Sequence, residues 1–169
     1  PPLLAPSSSF TFDFYVKPKA TNNQQIPYHA GTIMHMSSCY AVSLVSGSAK
    51  DHTHVQRPAG FRILLQLSQS ADIKPSNVSI AKDGTVNDAS GNAVSMAFAS
   101  SNNSLKLNSW HHVCIRWSSA ESVNGAGSIS IDGNLDHEFL INKKSVMQST
   151  SSKPLLGDPS ALFIGNYYN

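Results

Sequence analysis

The sequence predicts an all-β fold, an antiparallel β-sandwich or barrel with little or no helix. Three observations carry that expectation. Apolar and polar residues alternate with period two along much of the chain. Turn-forming residues punctuate the alternation about every 8 to 15 residues, the spacing of short strands in sandwiches and barrels. No window of about eleven residues or more places apolar side chains at i, i+3, i+4 and i+7, as an amphipathic helix requires.

The first strand is read at Phe10–Val16, where Phe10, Phe12, Phe14 and Val16 share one face and Thr11, Asp13, Tyr15 and the following Lys17 the other. Lys17-Pro18 stops it, because proline has no N–H for a ladder and restricts the residue before it. Short strands follow at 32–36 and 40–45, then a surface loop over 46–60 rich in Gly, Ser and Pro. Phe61, Ile63, Leu65 and Leu67 form the face of a fourth strand. Val78 and Ile80 make a brief strand ending at Asp83-Gly84, a turn dipeptide. Val94, Met96 and Phe98 alternate next, followed by a polar loop over 100–104. The strongest strand is 111–117, with Val113, Ile115 and Trp117 opposite His112, Cys114 and Arg116. A Ser/Gly loop is expected over 118–127. Ile129 and Ile131 then lead into Asp132-Gly133, a two-residue hairpin signal. A last strand over 161–164 meets Gly165.

Composition narrows the function classes. A chain of 169 residues and 18.1 kDa fits one domain. Charged residues make up 13%, while 28 Ser and 13 Asn supply much of the polarity. That balance leans towards an extracellular or virion-surface protein. Net charge is +2, and no Lys/Arg run exceeds Lys143-Lys144, so neither nucleic acid nor membrane insertion is expected. No apolar stretch approaches the roughly 18 residues that span a bilayer as a helix. Residues 1–9 read as a linker, and residues 10–169 as a single domain. With no initiator Met and no signal-like segment, the sequence reads as a mature chain or an excised piece.

Trp110-His111-His112-Val113-Cys114-Ile115-Arg116-Trp117-Ser118-Ser119 resembles the pentraxin signature His-x-Cys-x-Ser/Thr-Trp-x-Ser/Thr, with Arg116 in place of a hydroxyl residue. Phe10–Tyr15 resembles the opening strand of pentraxins and laminin-G-like domains. Ile129–Gly133 resembles their strand and Asp-Gly turn, and Leu162–Asn166 their late strand. The four pieces occur in the family's order across nearly the whole chain. The resemblance implies a concanavalin A-like jelly roll.

Two departures bear on function. The signature Cys of pentraxins pairs with a Cys on the opening strand, where this chain has Asp13. Two free thiols at Cys39 and Cys114 are the simpler reading, and a Cys39–Cys114 bond is the alternative. The family's late-strand Gly is followed by a carboxylate-rich segment that holds calcium. Here that segment is Asn166-Tyr167-Tyr168-Asn169, which offers no carboxylate to a hard cation. No metal or other cofactor is therefore expected. Family members also carry one or two further strands after that Gly. The resemblance thus implies terminal strands supplied by a larger polypeptide, or an open edge suited to assembly.

Candidate chemistry is sparse. Asp136 and Glu138 would share a strand face roughly 7 Å apart, a spacing compatible with acid/base work. The family-type run of alternating carboxylates is missing, so no catalytic residue is assigned. His52 and His54 lie on one side of an extended segment, but no second cluster supports a zinc site. Ser, His and Asp residues abound without a Gly-x-Ser-x-Gly elbow. Two Asn-x-Ser sequons, at Asn77 and Asn102, are near chance frequency in this composition.

Binding remains. Asn166, Tyr167, Tyr168 and Asn169 combine aromatic rings with amides, at the place where the resembled family puts its ligand site. His52, His54 and Arg57 in a polar loop are the second candidates. The expected function is a non-catalytic, calcium-independent recognition or adhesion module for a glycan or protein outside the cell. The alternative is a structural or assembly domain in a larger surface protein such as a viral capsid or spike. In that case its partners are neighbouring segments or further copies of the chain.

Overall fold

The computed structural model describes residues 6, 9–19, 30–47, 60–118, 124–142 and 161–165. They form an antiparallel β-sandwich. Twelve strands are described: β1 (Phe10–Val16), β2 (Ala30–Met36), β3 (Tyr40–Ser46), β4 (Gly60–Leu67), β5 (Ser79–Ile80), β6 (Val86–Asn87), β7 (Ala97–Ala99), β8 (Leu105–Lys106), β9 (His111–Ser118), β10 (Asn124–Ile131), β11 (Asn134–Asn142) and β12 (Phe163–Ile164). One sheet has the order β1-β9-β10-β11. The other has the order β12-β2-β3-β4-β7, with β8 also paired to β4, and β5-β6 form a separate hairpin. The only helices described are two short 3-10 turns, Ser68–Asp72 and Pro75–Asn77.

The core lies between the sheets and follows the alternation read from the sequence. Val113, Ile115 and Trp117 of β9 meet Ile63, Leu65 and Leu67 of β4, all buried. Aromatic pairs cross the gap. Phe12 packs on Tyr40 at 4.8 Å and Phe98 stacks on Phe139 at 4.4 Å and 19°. Such pairs add about 0.5 to 1.5 kcal/mol beyond the area they bury.

Three elements differ from the sequence expectation. The 118–127 segment is partly strand, because β10 begins at Asn124. Its glycines serve packing. A Cβ at Gly125 would collide with the Trp117 ring, and one at Gly127 with the Phe139 ring. Of the 94–98 alternation, only Ala97 and Phe98 enter a strand, since Met96 adopts a positive φ of 63° in a turn. Finally, β4 is buried along its whole length rather than on one face. Val78, Ile80, Val86 and Val94 pack over its far side as a second apolar cluster around Val45, Leu64 and Ala99. The six-stranded sheet is therefore covered on its outer face.

That covering layer is held by a half-buried acid. Asp72, at the end of the first 3-10 turn, reaches back to the β2–β3 turn. Its carboxylate accepts His35 Nε2–H at 3.1 Å, Ser38 N–H at 2.9 Å and Ser38 Oγ–H at 2.8 Å. Gln66 ties the same turn to β4, donating to Ser70 O and Ile73 O.

Candidate functional site

The residues singled out from sequence, His52, His54, Arg57, Asn166, Tyr167, Tyr168 and Asn169, lie outside the described residues. The site that the described residues do build is the outer face of the four-stranded sheet. Strand register assigns its rows. Tyr15 stands opposite His112; Asp13, Cys114, Ser130 and Leu135 form the next row. Thr11, Arg116, Ser128 and Glu138 form the third. Unlike the outer face of the other sheet, this one exposes large side chains. Tyr15 is 70% exposed, Leu135 60% and Leu140 63%.

At one end of the face three side chains touch in series. The Tyr15 ring lies 4.9 Å from the His112 ring at 36°. His112 is in turn fixed by its Nε2–H, which donates to Asp13 Oδ1 at 2.9 Å. The third row backs a depression of about 340 Å³ lined by Thr11, Arg116, Ser128 and Glu138. Arg116 Nε–H reaches Ser128 Oγ at 3.4 Å, a weak tether that leaves the guanidinium facing solvent. Arg116 is thus the main donor of this row.

The hairpin at Asp132-Gly133 anchors the face from behind. Positive φ angles of 53° and 79° at these two residues explain the Asp-Gly pair, the usual choice for such a turn. Asp132 also accepts His112 N–H at 2.9 Å and the ring of buried His111 at 2.8 Å. Because Lys106 N–H donates to His111 Nε2 at 2.9 Å, the imidazole proton must sit on Nδ1, facing Asp132. The bonds from His111 and His112 hold the Asp132 carboxyl below its ordinary value. Replacing Asp132 by Ala leaves the buried His111 Nδ1–H without its acceptor, an expected loss of about 1 to 2 kcal/mol. Denaturant unfolding of the variant checks it, and an unchanged midpoint would refute this account of the hairpin.

The Asp136/Glu138 pair considered from the sequence is split. A bulge between Ile129 and Ser130 pairings leaves Asp136 as an extra residue in β11. Its Oδ2 accepts Ser101 N–H, from the loop after β7, at 2.6 Å, while Glu138 lines the outer depression. Two-carboxylate chemistry at this pair therefore lacks its geometry. Sequence alternation missed it because a bulge shifts the side-chain face by one residue.

The cysteines are both free. Cys39 is buried in the β2–β3 turn, and burial pushes its thiol up to about 11. Cys114 is on the outer face of the other sheet, directly opposite Asp13. Partial burial and the Asp13 carboxylate push its thiol up as well, so neither is primed as a thiolate nucleophile. Among the described residues, no group of three or more His, Cys, Asp and Glu is placed to hold a metal ion. Comparison with protein-family models, with curated proteins and with solved structures returned no match, so the site rests on its own chemistry.

Proposed function

We propose that this protein is a non-catalytic recognition module that binds a glycan or protein without calcium, at the cell exterior or a virion surface. The observation that carries the reading is the asymmetry of the two outer sheet faces. The 68–99 segment covers the six-stranded sheet so fully that Leu64 and Gln66 are 0% exposed. The four-stranded sheet instead presents Tyr15, Arg116 and Glu138 to solvent. Two further points support a divergent pentraxin or laminin-G-like jelly roll. β1 pairs with β9 across the chain, and Asp13 faces Cys114 at the register where the family carries its paired cysteines. The absence of carboxylates from Asn166-Tyr167-Tyr168-Asn169 supports calcium independence.

A second reading, an assembly domain of a larger surface protein, is favoured by β11. This nine-residue strand ends the four-stranded order and carries exposed Leu135 and Leu140. The two readings separate in one experiment. Glycan and protein arrays are probed with the protein in calcium and again in EDTA. Ligand binding in both buffers is the expected result. Loss in EDTA would overturn calcium independence, and absence of any ligand together with self-association in sedimentation would favour assembly.

A further inference from the structure

Resting on that recognition reading, we infer that the outer face of the four-stranded sheet is a binding site for a short neutral oligosaccharide. Tyr15 supplies the stacking platform, and Arg116 with Glu138 supplies the hydrogen bonds. Sugar rings offer apolar C–H faces to aromatic rings and hydroxyls that both donate and accept. The face has both partners in separate places. Tyr15 is exposed, yet its ring rests on His112, which Asp13 holds. The platform is thus ordered before any ligand arrives, which lowers the entropy lost on binding. Two rows away, Arg116 brings donors, Glu138 acceptors, and Thr11 and Ser128 hydroxyls around one depression. Two row steps amount to about 14 Å along the strands, the reach of roughly three linked rings.

Charge selects the ligand class. The chain carries +2 overall. Within this face, however, the three carboxylates of Asp13, Glu138 and Asp132 at the hairpin outnumber the two cations, Arg116 and Lys17, which continues the Tyr15 face just past β1. Sialylated or sulfated sugars would meet like charge here. A protein partner is the poorer fit, because the row of Arg116 and Glu138 separates Leu135 from Leu140. The leucines therefore do not merge into the apolar centre that a protein interface buries.

The test is an NMR titration of the whole chain with maltotriose, cellotriose, triacetylchitotriose and a neutral fucosylated lactose, against sialyllactose. At least one neutral trisaccharide is expected to shift Tyr15, Arg116 and Ser128 resonances, while sialyllactose leaves them in place. Tyr15→Ala and Arg116→Ala are each expected to weaken binding by about tenfold with dispersed spectra retained. Shifts confined to residues elsewhere would overturn this site while leaving the recognition reading intact. Equal binding of sialyllactose, no face shift with any neutral sugar at millimolar concentration, or a protein ligand seated on the face would each overturn it outright.

Discussion

Gly127→Val is expected to lower stability by roughly 2 to 3 kcal/mol, the cost of forcing extra atoms into a filled core. Gly127 lies directly opposite both Trp117 and Phe139 in the register, and the Phe139 ring already occupies the space a Cβ would need. Phe139 cannot yield easily, because Phe98 of the other sheet stacks on it. The mechanism is specific enough to be tested by a double-mutant cycle. Phe139→Leu alone should destabilise by loss of packing, yet the pair Gly127→Val and Phe139→Leu should cost clearly less than the sum. Urea midpoints of the four proteins decide it; strict additivity would show that the ring and the glycine are not coupled. Gly127 also lines the outer depression, so the same clash would disturb the proposed sugar site from beneath.

Asp72→Ala is the second large effect, expected at roughly 2 to 4 kcal/mol. It removes the acceptor of fully buried His35 and of two Ser38 donors at once, and leaving several such donors unpaired at a half-buried site is among the costlier polar changes. The pH dependence has a definite sign. Burial acts to raise the Asp72 carboxyl, but the bonds from His35 and Ser38 outweigh it and leave the group below its ordinary 3.8. A depressed acid binds fewer protons folded than unfolded at a given pH. Its contribution is therefore complete above 3.8 and is lost as pH falls through the lower folded value. Stability measured from pH 6 to about pH 2 should fall less steeply in Asp72→Asn than in the parent. An identical acid limb would remove Asp72 as its cause.

Much of the fold was legible because a period of two is a local property. Phe10–Val16, 111–117 and the Asp132-Gly133 hairpin each announce themselves within a few residues, and each forms as read. Gly125 and Gly127 misled for a physical reason. Within one segment, glycines signal a loop, and only the rings of Trp117 and Phe139 from neighbouring strands make them strand residues. The 86–87 and 105–106 strands were also invisible, being two residues long and defined by their partners alone.

The candidate site divides in the same way. From the sequence came the outward set of Asp13, Tyr15, His112, Cys114 and Arg116, since alternation places them on one face. The binding residues expected at 166–169, from the resemblance, and at 52–57, from a polar loop, lie outside the described residues. Which outer face stays open was a tertiary matter. Leu64 and Gln66 alternate just as Cys114 and Arg116 do, but the 68–99 segment folds over the former and leaves the latter in solvent. Register likewise decided that Arg116 and Glu138 share a row, and a one-residue bulge decided that Asp136 does not join them. Local alternation determined the strands and their two faces by itself. Long-range pairing and coverage, which depend on residues far apart in the chain, determined which face can meet a ligand.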